Sequence, residues 1–233
     1  LQQKVKNMPP WALSVYAALC SFCVYFCMYA FRKPFTAAGF TGIEFLHIDY
    51  KVWLVTAQVI GYMLSKFYGI KFISGMQGEK RAITIVKLIL LAWLALLLFA
   101  VTPAPYNIVF LFLNGFPLGM VWGLVFSFLE GRKATEFMGA VLSISFIFSS
   151  GVVKSVGKSI VLYWHVSEMW MPFIAGGFFV LPMLLFTWLL NHVPPPTAED
   201  VTLRSARKPM TGTERKEFIA RFLPGIIVIV FTY

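Results

Sequence analysis

Six cations stand where cations are costly. Arg32, Lys33, Lys66, Lys87, Lys154 and Lys158 fall within or at the edges of long apolar runs, and none of the ten Asp and Glu residues joins them there. A charge near the centre of a bilayer costs about 2.5–3.5 kcal/mol on insertion scales, so such residues usually face a cavity or a pathway. The chemistry open to a cluster of cations without carboxylates is the binding of an anion.

The positions differ in how easily they are accounted for otherwise. Lys87 lies close enough to the basic end of its run for its stem to carry the ammonium to the headgroups. Lys154 and Lys158 are one turn apart on one helical face, and either snorkel outward or add positive potential to a cavity. Lys66 lies about 21 Å along its run from Val52, too deep for an easy interfacial placement. Arg32 and Lys33 either flank the outer end of the first run or lie at mid-depth in a longer, kinked helix. The second arrangement stays open because apolar sequence resumes after Pro34 with Phe35, Ala37, Ala38 and Phe40. Tyr25 and Tyr29 precede Arg32 by seven and three residues and share its helical face. A guanidinium with phenols beside it suits a bidentate grip on phosphate or carboxylate.

Other chemistries find no support. The chain has no nucleophile elbow, phosphate-binding glycine loop, metal-ligand cluster or paired buried carboxylate, so neither an enzyme, a cofactor nor ATP drive is expected. Cys20, Cys23 and Cys27 form one helix stripe, read as small-residue packing rather than a soft-metal site. His47, His165 and His192 fall in links or at helix ends. The ladder Gly115, Gly119, Gly123 would let another helix of the same chain approach closely. The charged turn from Glu130 to Glu136 is either a latch between helices or a solvated loop.

The elements that must carry these residues are membrane helices. Of the 233 residues 59% are hydrophobic and 13% charged, with mean hydropathy +0.77; soluble domains run about 45–50% apolar and about 25% charged, so the chain is read as an all-α membrane protein. Apolar runs long enough to cross a core of about 30 Å cover residues 11–31, 52–73, 82–101, 106–129, 137–163 and 169–190, the first with an extension toward residue 45 left open. Residues 1–190 are therefore expected to form a six-helix transmembrane bundle. Residues 191–221 open on Pro194-Pro195-Pro196 and read as a polar interdomain linker with an amphipathic end. Residues 222–233 read as the truncated start of a seventh helix, so a second six-helix half is expected to follow.

Charge placement orients the bundle. With the N-terminus cytoplasmic, thirteen Lys and Arg residues lie inside, among them Lys4, Lys71, Arg81, Arg132, Arg204 and Lys216, while Lys51 alone lies clearly outside. The net charge of +10 is then topology signal plus attraction to anionic lipid, and no nucleic-acid partner is implied.

Two segments carry a resemblance. The run Tyr25-Phe26-Cys27-Met28-Tyr29-Ala30-Phe31-Arg32-Lys33-Pro34-Phe35, followed by Gly61-Tyr62-Met63-Leu64-Ser65-Lys66-Phe67, resembles the major facilitator superfamily, in particular its organophosphate:phosphate antiporter branch of glycerol-3-phosphate transporter-like proteins. Gly115-Phe116-Pro117-Leu118-Gly119-Met120-Val121-Trp122 is similar to that branch's fourth-helix segment. The resemblance implies the N-terminal half of a twelve-helix fold, with Arg32 as the phosphate-gripping arginine, Lys33 its neighbour, Tyr25 and Tyr29 cavity tyrosines and Lys66 a cavity lysine. Three features depart from the branch. Its fifth-helix histidine has no counterpart, since Ser145 to Ser150 offers hydroxyls with Lys154 and Lys158 further along. The loop Gly75 to Arg81 keeps only a closing basic pair, and the branch's second cavity arginine belongs to the other half.

The expected function is secondary transport of a small phosphorylated or carboxylated organic anion by alternating access, with exchange of one anion for another, in the inner or plasma membrane. The alternative is a transporter-like sensor that binds an anion and signals through its cytoplasmic linker. The topology is directly testable. In a variant lacking native cysteines, a cysteine at His47 should react with an impermeant maleimide on intact cells, whereas one at Lys133 should react only after permeabilisation. The reverse pattern would invert the orientation.

Overall fold

The computed structural model describes residues 2–76, 78–197, 199–200 and 210–232; the linker cations Arg204, Arg207 and Lys208 lie outside the described residues. A short helix α1 (Gln2–Lys6) leads into α2 (Pro10–Tyr29), which starts with proline at its first position, where the missing N–H has no partner to lose. Then follow α3 (Tyr50–Ser74), α4 (Arg81–Val101), α5 (Ile108–Phe126), α6 (Thr135–Trp164), α7 (Met171–Leu190) and α8 (Gly212–Thr232). Between α2 and α3 lies a 3-10 turn, Pro34–Ala37, and a minimal antiparallel ribbon, β1 (Glu44–Phe45) with β2 (Ile48–Asp49), which pairs Glu44 with Asp49 and Phe45 with Ile48. The chain is an all-helical, multi-pass membrane protein in which α2, α4, α5, α6 and α7 are long and apolar enough to cross.

The sixth span read from sequence, residues 52–73, is α3. At 25 residues, about 37 Å, it has the length. It falls short of the other five in apolar content because it carries Thr56, Gln58, Tyr62, Ser65, Lys66, Tyr68 and Lys71. Nor does the first span run on as a helix toward residue 45. It ends at Tyr29, because Pro34 has no N–H to return to the preceding turn and the backbone tightens into 3-10-type bonds, Ala30 N–H to Cys27 O and Phe31 N–H to Met28 O. The apolar residues that follow nonetheless stay inside: Phe35, Ala38 and Phe40 join Tyr50, Leu54, Phe99 and Leu111 in a cluster at that end of the bundle.

Packing follows a repeated plan. Helix α2 lies against α6 and α7, and α5 lies against α3 and α4; α2 also touches α5, and α4 touches α7. Exchanging the triplet α2–α4 with the triplet α5–α7 leaves each of these pairings in place. The tightest pair is α3 with α5. Gly115, Gly119 and Gly123 of α5 all face α3, and a Cβ at Gly119 would overlap the Ser65 hydroxyl, so the ladder serves packing within the chain.

Each end of the bundle is tied by polar groups. At the basic end Arg132, 5% exposed, donates to the carbonyls of Phe128 (3.3 Å) and Pro194, while Arg81 donates to Ser127 O at 2.9 Å. Asp200 accepts from the N–H of Lys133 (2.8 Å) and from the N–H and hydroxyl of Thr197, and Lys133 pairs with Glu199 at 4.0 Å. The charged turn is thus a latch that holds the start of the polar stretch against α5 and α6. Burial pulls the Arg132 guanidinium below its usual range, with Asp200 partly offsetting the shift. Burial also pushes the Asp200 carboxyl up, but its hydrogen bonds to Lys133 and Thr197, with Arg132 nearby, hold it below the ordinary carboxylate range. At the opposite end Glu168 accepts from the N–H groups of Gly39 and Phe40, Lys51 donates to Ala38 O at 2.6 Å, and Tyr50 donates to Asn107. The polar stretch does not stay irregular to residue 221: α8 begins at Gly212, and Arg215 reaches Ser74 at the foot of α3.

The end of α2 exposes carbonyls that its own helix cannot satisfy. Asn114, fully buried in α5, donates to Phe31 O and to Ala92 O, each at 3.0 Å, and Gln58 of α3 donates to Arg32 O at 3.1 Å and to Asn114 at 2.8 Å. Replacing Asn114 by Leu should strand two buried carbonyls, at about 1–3 kcal/mol for each buried group, and lower the unfolding temperature in detergent markedly. An unchanged transition would show that the knot does not hold the helix end.

Candidate functional site

The polar knot fixes where Arg32 sits. Gln58 and Asn114, which grip the backbone at residues 31 and 32, lie eight and six residues from the starts of their helices, about 12 Å and 9 Å inside. Those two helix starts are tied together by the Tyr50–Asn107 hydrogen bond, so both depths are measured from one end. Arg32 is therefore within the bundle rather than flanking it, with the Phe35–Phe40 cluster between it and that end.

The guanidinium is half-buried and stacks on an aromatic face: its Cζ lies 3.9 Å from the centre of the Tyr62 ring and 5.9 Å from that of Tyr29. Stacking orients the fork without occupying its donors. Nε is buried and has no hydrogen-bond partner among the described residues. Lys66, one turn beyond Tyr62 on α3, places its Nζ 5.2 Å from the centre of the same ring. Arg32 and Lys66 thus share one aromatic platform, contributed by a residue the sequence reading quoted but did not single out. The available signal is the spacing of four between Tyr62 and Lys66 on a helix where Gln58 and Ser65 turn inward.

Lys33 precedes the Pro34–Ala37 turn, which packs on α6, and it lies close enough to Arg32 and Lys154 to be repelled by both, by Arg32 the more strongly. Lys154 and Lys158 are exposed on α6. Tyr25 and Tyr29 lie beneath the cations rather than at an open surface, 2% and 7% exposed. They stack edge-on with each other at 5.6 Å and against Phe146 of α6 at 4.8 and 6.3 Å, and Tyr62 lies beside Tyr25. Phe146 is the α6 contact that the hydroxyl-rich stretch concealed. Ser145 and Ser149 are buried and spend their hydroxyls on the carbonyls of Leu142 and Ser145. Lys87 lies exposed on α4 and has no place in this group. Cys20 and Cys27 are buried free thiols in the α2 core, and among the described residues no group of His, Cys, Asp or Glu is arranged to hold a metal ion.

The arrangement can hold an anion by electrostatics and by the donors of Arg32, over a floor of aromatic rings. Along α6 a shallow groove lined by Ile147, Phe148, Gly151, Ser155, Trp164 and Phe178 is almost wholly apolar, which suits lipid chains or another helix better than a polar solute.

Residues 34–233 match the sequence profile of a family described as a family of unknown function (DUF5690), and the chain belongs to it. No curated protein and no solved structure matches the chain. The platform itself can be checked without a ligand. Tyr62→Leu should destabilise the detergent-solubilised protein by about 0.5–2 kcal/mol through the lost cation–π contact, whereas Tyr62→Phe should keep most of it. Equal loss in both would assign the effect to the hydroxyl instead.

Proposed function

We propose that this chain, as a member of that family, is the N-terminal six-helix half of a major-facilitator-type secondary transporter, with α3 crossing the bilayer alongside the five apolar spans. The substrate is a small organic anion, phosphorylated or carboxylated, bound at Arg32. The observation that carries the reading is Arg32 itself: a guanidinium held inside a membrane bundle, stacked on Tyr62, with a buried Nε left without a hydrogen-bond partner among the described residues. A cation at that depth is costly unless something anionic completes it.

Three further features support the reading. The pairing of α2 with α6 and α7 mirrors that of α5 with α3 and α4, the pattern expected of two three-helix repeats of opposite orientation. Helices α3 and α6 each present a long exposed face, through Val59, Met63 and Phe67 on one and Ile144, Ile147 and Phe148 on the other, which a second half would cover. The basic end, with Lys71, Lys80, Arg81 and Lys133, is then cytoplasmic, as are the N-terminus and the linker, in an inner or plasma membrane. Substrate would be exposed alternately to the two sides as the halves rock about it. A site built of cations favours exchange of anions over proton coupling through an acid.

The test is binding and counterflow with the full-length protein in proteoliposomes, using labelled phosphate and a panel of organic phosphates and carboxylates. Saturable exchange is expected, and Arg32→Ala should weaken binding by about 10- to 100-fold, the value of charged hydrogen bonds, with a smaller loss for Lys66→Ala. Binding without flux would move the assignment to an anion sensor that signals through the linker. Uptake unaffected by Arg32→Ala would end the proposal.

A further inference from the structure

The cations divide into two pairs that face different helices. Arg32 and Lys33 are consecutive residues in right-handed helical geometry, so their side chains leave the backbone about 100° apart. Arg32 goes to α3, where it stacks on the Tyr62 ring that Lys66 also approaches. The backbone at Lys33 lies at α6: the turn that follows it packs there, Pro34 lies against Gly157 so closely that a Cβ would come within 3.3 Å of its carbonyl, and Lys154 stands three residues before Gly157. Lys158 continues the same face by one turn.

One anionic group on Arg32 and Lys66 leaves Lys33, at the Pro34–Gly157 contact, and Lys154, one turn before that contact, as like charges that repel each other. Between the two pairs runs a floor of rings from α2 to α6, with Tyr29 beside Arg32 at one edge and Phe146 beneath it at the other. Such a floor accepts an organic body and offers a charged group nothing.

We propose that the site takes a ditopic substrate, a small molecule with two separated anionic groups, one held by Arg32 and Lys66 and the other by Lys33 and Lys154. The inference rests on the reading that Arg32 binds an anion, and adds to it that Lys154 determines specificity. Lys33 and Lys154 then select molecules by the presence of the second head, while Arg32 is needed for any ligand.

The experiment compares two probe types with the reconstituted full-length protein: propyl phosphate, with one head, and a series of linear alkane bisphosphates from ethane to hexane, with two. Affinity is measured by displacement of labelled phosphate. At the best spacer the bisphosphate should bind about tenfold or more tightly than propyl phosphate, as expected for one additional charge-assisted contact. Lys154→Gln should erase that advantage while leaving propyl phosphate affinity within about twofold, the scale of a contact not made, and Lys154→Arg should restore it, which separates loss of charge from loss of fold. Arg32→Lys should weaken both probe types together. Equal affinity for one-headed and two-headed probes, or a Lys154→Gln variant that retains the preference, would overturn the ditopic assignment while leaving the anion site at Arg32 intact. Failure of every probe to displace phosphate from wild type, or the absence of phosphate binding, would overturn both.

Discussion

Within a bilayer no water is available to satisfy a backbone carbonyl, so a helix that stops at membrane depth must find its partners in the protein. Helix α2 stops in that way. Pro34 removes the donor that would have carried the helix onward, and the carbonyls of Phe31 and Arg32 pass to Asn114 and Gln58. Three consequences follow from that one exchange. The chain after Arg32 is free to fold as a short turn and plug the end of the bundle with Phe35 and Phe40. Helices α3, α4 and α5 are joined to α2 through the same two amides, since Asn114 also holds Ala92. Arg32 is fixed inside the bundle by its own backbone, which leaves its side chain free of structural duty.

That freedom distinguishes Arg32 from Arg132. Neither guanidinium is in an ion pair with a carboxylate among the described residues, although Asp200 lies near Arg132. Arg132 is nearly buried and discharges its donors onto the carbonyls of Phe128 and Pro194, making it a strut between the α5–α6 turn and the residues after α7. Arg32 rests on a ring, and cation–π contact satisfies the charge only in part because the quadrupole of a phenol offers no lone pair to an N–H. The same residue type is a structural element where carbonyls surround it and, in the proposed function, a binding element where rings do.

The mirrored packing has a physical basis in the residues at the crossings. Helix α5 approaches α3 through glycines, which admit backbone against backbone, while α2 meets α6 through aromatic rings, Tyr25 and Tyr29 against Phe146. The two crossings occupy equivalent places in the plan and differ in what they can hold. The glycine crossing is close-packed. The aromatic crossing leaves Lys33 and Lys154 on its flank, and the proposed second anionic group belongs there for that reason.

The sequence by itself determined the class of protein and most of the helix register. Apolar runs of spanning length separated by Pro, Gly and charge leave few other arrangements for residues 82–101, 106–129, 137–163 and 169–190, and helices α4 to α7 begin and end within a few residues of those limits. Arg32 and Lys66 were legible because charge is rare in such runs. The polarity of α3 was visible too, but whether its polar positions faced protein or lipid was not, since Gln58 and Lys66 differ only in which neighbours the fold gives them. The stop at Tyr29 could be read as a kink or an end, because a proline states that a hydrogen bond is lost without saying who replaces it. Tertiary structure alone decided that Asn114 and Gln58 take up the Phe31 and Arg32 carbonyls, that Tyr62 is the platform under Arg32, that the Tyr25 and Tyr29 rings form a buried floor, and that Arg32 rests on α3 while the turn after Lys33 packs on α6. Each of these is a contact between segments far apart in the chain, and periodicity along one helix holds no information about the side chain that meets it from another.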